Sequence, residues 1–141
     1  MEVVIKGGDN LGKEKLLKSF GEILESNILL TLSTVNGVQP YSNTAYYVYD
    51  KEFNLYIWTG TKTAHSKNIL KNNKVAGNIF DSAQKFGSLL KGLQLIGVAS
   101  IVSSKELVKA GTLYLKRFSS SLKMVKNPKG FHNKVFESRL Y

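Results

Sequence analysis

The chain has 141 residues, no cysteine, and 20 Lys/Arg against 10 Asp/Glu, for a net charge of +10. That length suits one domain with one core, and 43% hydrophobic with 21% charged residues is an ordinary globular composition. Disulfides, thiolate metal sites and a cysteine nucleophile are excluded, and no apolar run reaches the roughly 18 residues that span a bilayer.

Residues 1–9 hold too short an apolar run, with Glu2 inside it, for a signal peptide, so an intracellular, cytoplasmic location is expected. Residues 13–25 read as an amphipathic helix. Leu16, Leu17, Phe20, Ile23 and Leu24 recur at helical spacing, with Lys15, Lys18, Glu22 and Glu25 opposite them. Residues 28–35, rich in leucine and threonine, predict a strand. Asn36-Gly37 predicts a tight hairpin into a second strand from Val38 to about Tyr49. Pro40 fits an edge or the entry of that strand. A turn over Asp50–Asn54 leads to a third strand, Leu55–Thr59, which completes an antiparallel meander.

Residues 59–75 are the most informative about function. A polar turn with Thr59, Thr61, Lys62 and Thr63 runs into a helix predicted over 64–72, with Thr63 as its N-cap and His65 and Lys67 in its first turn. Free backbone N–H groups, hydroxyls and cations are what a phosphate ester needs. A solvated loop has the same composition, so both readings stay open. A fourth strand (75–81), a glycine-containing loop (82–91) and a fifth strand (93–102) follow. A helix from Ser104 to about Phe118 comes next, then turns at 119–121 and 127–130 and a last strand at 134–141. The sequence stops within that strand, which leaves open an economical end or a truncated one. Hairpin connections and helices few in number predict a small antiparallel barrel, mainly β with helices packed on it.

Residues 105–141 carry nine Lys/Arg against two Glu, a surplus that could attract nucleic acid, an anionic cofactor or only water. Leu107, Ala110, Tyr114 and Phe118 recur at helical spacing, so much of the third helix should face the barrel and its lysines face solvent. A specific nucleic-acid site is therefore not expected, nor is a membrane partner. His132 is placed in a loop and given no role. Two isolated histidines give no zinc signature, and there is no P-loop, dinucleotide fingerprint or serine elbow.

Three segments carry a family resemblance. They are Leu29–Thr34 with Asn36-Gly37, Pro40–Ser42 and Tyr46–Asp50; Leu55–Gly60 with Thr63, His65, Asn68–Leu70 and Asn72–Val75; and Gly92–Ala99. Their order and spacing resemble the FMN-binding split barrel of the pyridoxamine 5′-phosphate oxidase-like superfamily. The chain is most similar to its YhbP-like branch, through Lys62–His65, Gly92–Gln94 with Gly97, and Leu113–Phe118. The resemblance implies one split-barrel domain over 1–141, with about six antiparallel strands. It implies a homodimer with FMN at the subunit interface. The isoalloxazine ring would lie on Tyr41, Ser42, Asn43, Thr44 and Ala45, near Trp58 and Thr59. The phosphate would lie at Thr63, His65 and Lys67, and Gln94 would reach the cofactor from the fifth strand. The family's usual Arg-Lys pair falls on Ala64 and His65, which leaves Lys62 and Lys67 as the nearest ammonium groups.

Trp58 reads either as core or as a wall for the flavin. Tyr41, Tyr46, Tyr47, Tyr49 and Tyr56 are expected to form an exposed aromatic face that a second copy covers. The function expected is that of a flavoprotein, an oxidoreductase whose substrate and catalytic residues the sequence does not name. The alternatives are a non-catalytic module for flavin, haem or another phosphorylated ligand, and a basic nucleic-acid-binding protein.

Overall fold

A computed structural model describes residues 12–118 and 132–139. The elements run α1 (Lys13–Ser26), β1 (Leu29–Asn36), β2 (Gln39–Tyr49), β3 (Leu55–Thr59), α2 (Ala64–Lys71), β4 (Lys74–Phe80), β5 (Gly92–Ile101), α3 (Ser104–Arg117) and β6 (His132–Arg139). The strands close into a barrel in the order β1-β2-β3-β6-β5-β4, every pair antiparallel. This is the split-barrel architecture expected from the sequence. The last strand begins earlier than expected, because β6 pairs with the whole of β3 from Leu55 to Thr59. His132 thus opens a strand instead of sitting in a loop. The turns expected at 119–121 and 127–130 lie outside the described residues.

Alternation along the strands explains the core. Leu30, Leu32 and Thr34 of β1 point inward beside Leu55, Ile57, Val75, Ile79, Leu95 and Ala99 from the other strands. Phe20 and Leu24 of α1 and Ile69 of α2 join the same cluster. Gly77 lets β4 reach β1, since a Cβ there would stand 2.7 Å from the Thr31 carbonyl oxygen. The expected hairpin forms with its turn one residue further on: Asn36 pairs with Gln39, and Gly37 (φ 62°) and Val38 make the two-residue turn, so Val38 does not open β2. Pro40 lies on the part of β2 that pairs with β1 alone.

A second, smaller cluster lies outside the barrel wall. Val48 and Tyr56 on the outer face of β2 and β3 meet Ala110 and Tyr114 of α3. The turn beneath is fixed by Asp50, whose carboxylate accepts five hydrogen bonds. They come from the backbone of Glu52 and Asn54, the Asn54 amide, the Tyr56 hydroxyl and the Lys109 ammonium at 2.7 Å. Burial alone would raise the Asp50 pKa, but those donors outweigh it and hold it down to about 2. Arg117 ties the two long helices together. Its guanidinium donates to the carbonyls of Leu24, Glu25 and Asn27 at the C-terminal end of α1, and lies over the rings of Tyr47 and Tyr49.

The expected aromatic face is corrected by this packing. Tyr47 and Tyr56 are buried: Tyr47 points into the core with its hydroxyl on the Leu24 carbonyl, and Tyr56 lies under α3. Tyr41 and Tyr46 are exposed, and Tyr49 is half-buried against Glu25. Among the described residues, no helix is long and apolar enough to cross a membrane.

Candidate functional site

The seam between β2 and β3 is short. Only Tyr47, Val48 and Tyr49 pair with Ile57, Tyr56 and Leu55, although both strands continue past Tyr47 and Ile57. The next rung would join Tyr46 to Trp58. There the hydroxyl of Tyr114 from α3 stands between the strands. It accepts from the Trp58 N–H at 2.9 Å, and the Tyr46 carbonyl (2.9 Å) and Tyr56 carbonyl (3.2 Å) are its acceptors. A phenol oxygen replaces a ladder bond, and the strands part beyond it. Burial pushes the Tyr114 pKa well above its ordinary value, which favours the neutral phenol that the bridge requires.

A cleft of about 530 Å³ opens where the strands part. Its walls are Asn43, Thr44, Ala45 and Tyr46 from β2, Trp58 and Thr59 from β3, His65 from α2, and Ile28, Tyr114 and Phe118 at the helix ends. Apolar and aromatic surface dominates. Trp58 is half-buried and edge-on to Tyr114 at 5.6 Å, so it belongs partly to the packing and partly to the cleft. Polar groups gather at one end. The buried His65 holds its Nε2 against the Thr59 hydroxyl and 3.1 Å from the Thr63 hydroxyl. Thr63 caps α2 as expected, accepting from the Ser66 N–H, and its oxygen lies 2.8 Å from the Ser66 hydroxyl. The first-turn N–H groups of α2 have no carbonyl within the helix to bond.

One polar atom in this wall is unsatisfied. Asn43 Oδ1 is buried and has no hydrogen-bond partner among the described residues. A buried amide oxygen without a donor costs roughly 1–3 kcal/mol. The Asn43 side chain stands at the cleft, where a ligand with an N–H group would relieve that cost once the carboxamide turned toward it.

The structure therefore brings together six of the residues singled out in the sequence: Asn43, Thr44, Ala45, Trp58, Thr59 and His65. Thr63 stands just behind them through its contact with His65. Four others lie apart. Tyr41 and Ser42 are further along β2, exposed, and outside the cleft wall. Lys67 follows His65 by two positions, about 200° around α2, and faces solvent. Gln94 is exposed on β5, three strands from Thr44 across the outer face of the barrel. Sequence reasoning missed Ile28, Tyr46 and Phe118 as walls and Tyr114 as the wedge. The matched Leu113–Phe118 segment was the available signal for the last two. Among the described residues, no three His, Asp or Glu side chains are placed to hold a metal ion.

A family model described as pyridoxamine 5′-phosphate oxidase matches residues 16–137. A UPF0306 protein of Pasteurella multocida is 34% identical over 102 residues, covering 72% of this chain and 68% of its own length. A UPF0306 protein of Yersinia pestis is 30% identical over 132 residues, covering 83% and 89%. Among solved structures, a haem storage protein of Vibrio cholerae superposes with a TM-score of 0.76 at 19% identity, over 88% of this chain and 90% of that one. An FAD-binding protein of Mesorhizobium loti gives 0.65 at 15% identity, over 85% and 86%. At those identities the two structures establish a shared fold.

Proposed function

The chain belongs to the pyridoxamine 5′-phosphate oxidase family, and on that premise we propose that it is an FMN-binding flavoprotein that works as a homodimer. The observation that carries the reading is the cleft beside the Tyr114 wedge, apolar along its length and hydroxyl-rich at one end. Its volume falls in the roughly 300–1,000 Å³ range of ligand sites. The residues present fit the group. Ile28, Trp58 and Phe118 offer flat apolar surface to a ring. The Asn43 carboxamide offers a hydrogen-bonding group to a ring edge that carries N–H and C=O. The α2 N-terminus offers a polar end to a phosphate, with His65 alongside and Thr63 behind it, whose hydroxyl would turn from the Gly60 carbonyl to donate.

When bound, FMN supplies the redox chemistry, and an oxidoreductase activity on a small-molecule substrate would draw on it. The residues of the chain bind and orient: the apolar walls exclude water, and the Thr59–His65–Thr63 group holds the phosphate end in place. A second reading is a non-catalytic module for haem or another phosphorylated ligand, and the fold likeness to a haem storage protein favours it. The Nε2 of His65 is already held by Thr59 and Thr63, so iron ligation there would have to break both contacts.

The deciding measurement is the visible absorption spectrum of the purified protein with the mass of any released cofactor, followed by titration of apoprotein with FMN and with riboflavin. FMN should quench and bind more tightly than riboflavin. No response at tens of micromolar FMN, with a haem spectrum on adding haem, would replace the first reading by the second.

A further inference from the structure

The end of α3 borders two hollows, and the cleft uses only part of it. Tyr114 and Phe118 face the cleft. Leu113, Lys116 and Arg117 line a separate groove of about 370 Å³, between α3 and the turn that follows β2. The two hollows share no wall residue. The groove's volume lies at the small end of the roughly 300–1,000 Å³ range of ligand sites.

The lining of the groove is apolar below and cationic around. Val48 is buried, Tyr49 and Leu113 are half-buried, and together they make the floor. Lys51, Lys116 and Arg117 stand about it. Among the described residues, none of these three cations has a carboxylate within ion-pair distance. Arg117 is held by the α1 carbonyls, which occupy its N–H groups without cancelling its charge. The two acids of the wall are otherwise engaged. Asp50 is filled by its five donors, and the Lys109 ammonium offsets its charge. Glu25 accepts the Tyr49 hydroxyl at 2.6 Å. A surplus of positive charge is therefore left beside an apolar floor. An anion with an apolar body satisfies both, through charge-assisted hydrogen bonds at one end and burial at the other. Glu25 keeps its own charge, so a monoanion fits where a polyanion would be repelled.

The place of the groove gives its occupant something to do. Lys109, Leu113 and Lys116 share one face of α3, four and three residues apart. The Lys109–Asp50 pair already ties that face to the turn. A carboxylate held between Lys51 and Lys116 would add a second tie, next to the residue whose hydroxyl parts β2 from β3. We infer that the groove is a second ligand site, for a small organic monocarboxylate, and that its occupant braces the end of α3 and the Tyr114 wedge with it. The site stands apart from the FMN cleft and does not depend on what that cleft binds.

Benzoate is the probe, with benzamide as its neutral counterpart and inorganic phosphate as an anion without an apolar body. In amide NMR of the full-length protein, benzoate should shift residues 48–51 and 113–117 and saturate. Benzamide and phosphate should each bind about tenfold more weakly. Lys51→Ala/Lys116→Ala should lose the benzoate shifts and keep the wild-type thermal midpoint, since neither ammonium is paired among the described residues. Saturating benzoate should slow hydrogen exchange at the Trp58 amide, which the Tyr114 hydroxyl holds, by about threefold or more. Equal affinity for benzoate and benzamide would overturn the anion site and leave an apolar hollow. Equal affinity for phosphate would reduce it to a patch of lysines. Shifts at residues 43–46 and 59 instead would give the carboxylate to the FMN cleft and refute the groove. Saturable binding in the groove with Trp58 exchange unchanged would overturn the bracing alone. Since every reading is taken without FMN, a protein that binds benzoate here and no flavin would uphold this site and refute the flavin reading.

Discussion

Tyr114→Phe isolates one oxygen atom. The ring keeps its contacts with Trp58 and Phe118, and only the bridge between β2 and β3 is lost. The wild-type hydroxyl accepts from Trp58 N–H and donates toward Tyr46 C=O, both at 2.9 Å. Removing a partner from a buried polar group costs about 1–3 kcal/mol, so two such groups put the loss at about 2–6 kcal/mol if the strands stay apart. If instead they close and Trp58 N–H bonds Tyr46 C=O directly, the loss should fall below about 1 kcal/mol, but the cleft narrows. Urea unfolding distinguishes these outcomes, read beside hydrogen exchange at the Trp58 amide and FMN affinity. In the first case the midpoint falls and Trp58 exchanges roughly 30-fold faster or more. In the second, stability holds and ligand affinity drops. A variant that matches wild type in midpoint, Trp58 protection and affinity would refute the wedge.

Asp50 predicts the acid limb of stability. Its folded pKa of about 2 lies below the ordinary 3.8, so its contribution is fully present above about pH 4 and fades as pH falls toward 2. The size is about 2 kcal/mol, and urea midpoints between pH 5 and 2 should show an acid loss that is flatter in Asp50→Asn. Thr63→Ala should weaken FMN by roughly 1.5–3 kcal/mol while leaving riboflavin nearly unchanged; equal weakening of both would place Thr63 in the fold or the ring site instead. Gly77→Ala should destabilise by at least about 1–3 kcal/mol, because its Cβ would overlap the Thr31 carbonyl and force β4 from β1; thermal unfolding checks this.

Much of the architecture was legible because it rests on local rules. Asn36-Gly37 marks a hairpin, alternation in Leu29–Asn36 fixes a face, and Thr63 caps a helix that starts where α2 starts. Part of the cleft wall was legible for another reason: the resemblance singled out Asn43, Thr44, Ala45 and His65, which line one cleft in the structure. What stayed hidden depends on reach across the chain. No local pattern tells Tyr114 to place its oxygen beside Trp58, 56 residues away. Nor does any local pattern tell Tyr47 apart from Tyr46. They are neighbours on one strand, and the pleat buries one and exposes the other. Lys67 was grouped with His65 by nearness in sequence, whereas the helix turns them apart.

The bonds that shape the cleft span long stretches of chain: 56 residues from Trp58 to Tyr114 and 93 from Leu24 to Arg117. Loop-closure entropy must be met before such contacts give anything back, so they form late. During synthesis, β1 to β3 emerge and can pair while α3 is still unmade. At that stage the seam has no phenol to part it, and the carbonyls at the end of α1 have no guanidinium. A ligand that needs this cleft cannot template the early meander. It should select chains that have already finished folding, so holoprotein yield would report on completed folding and not on assistance to it.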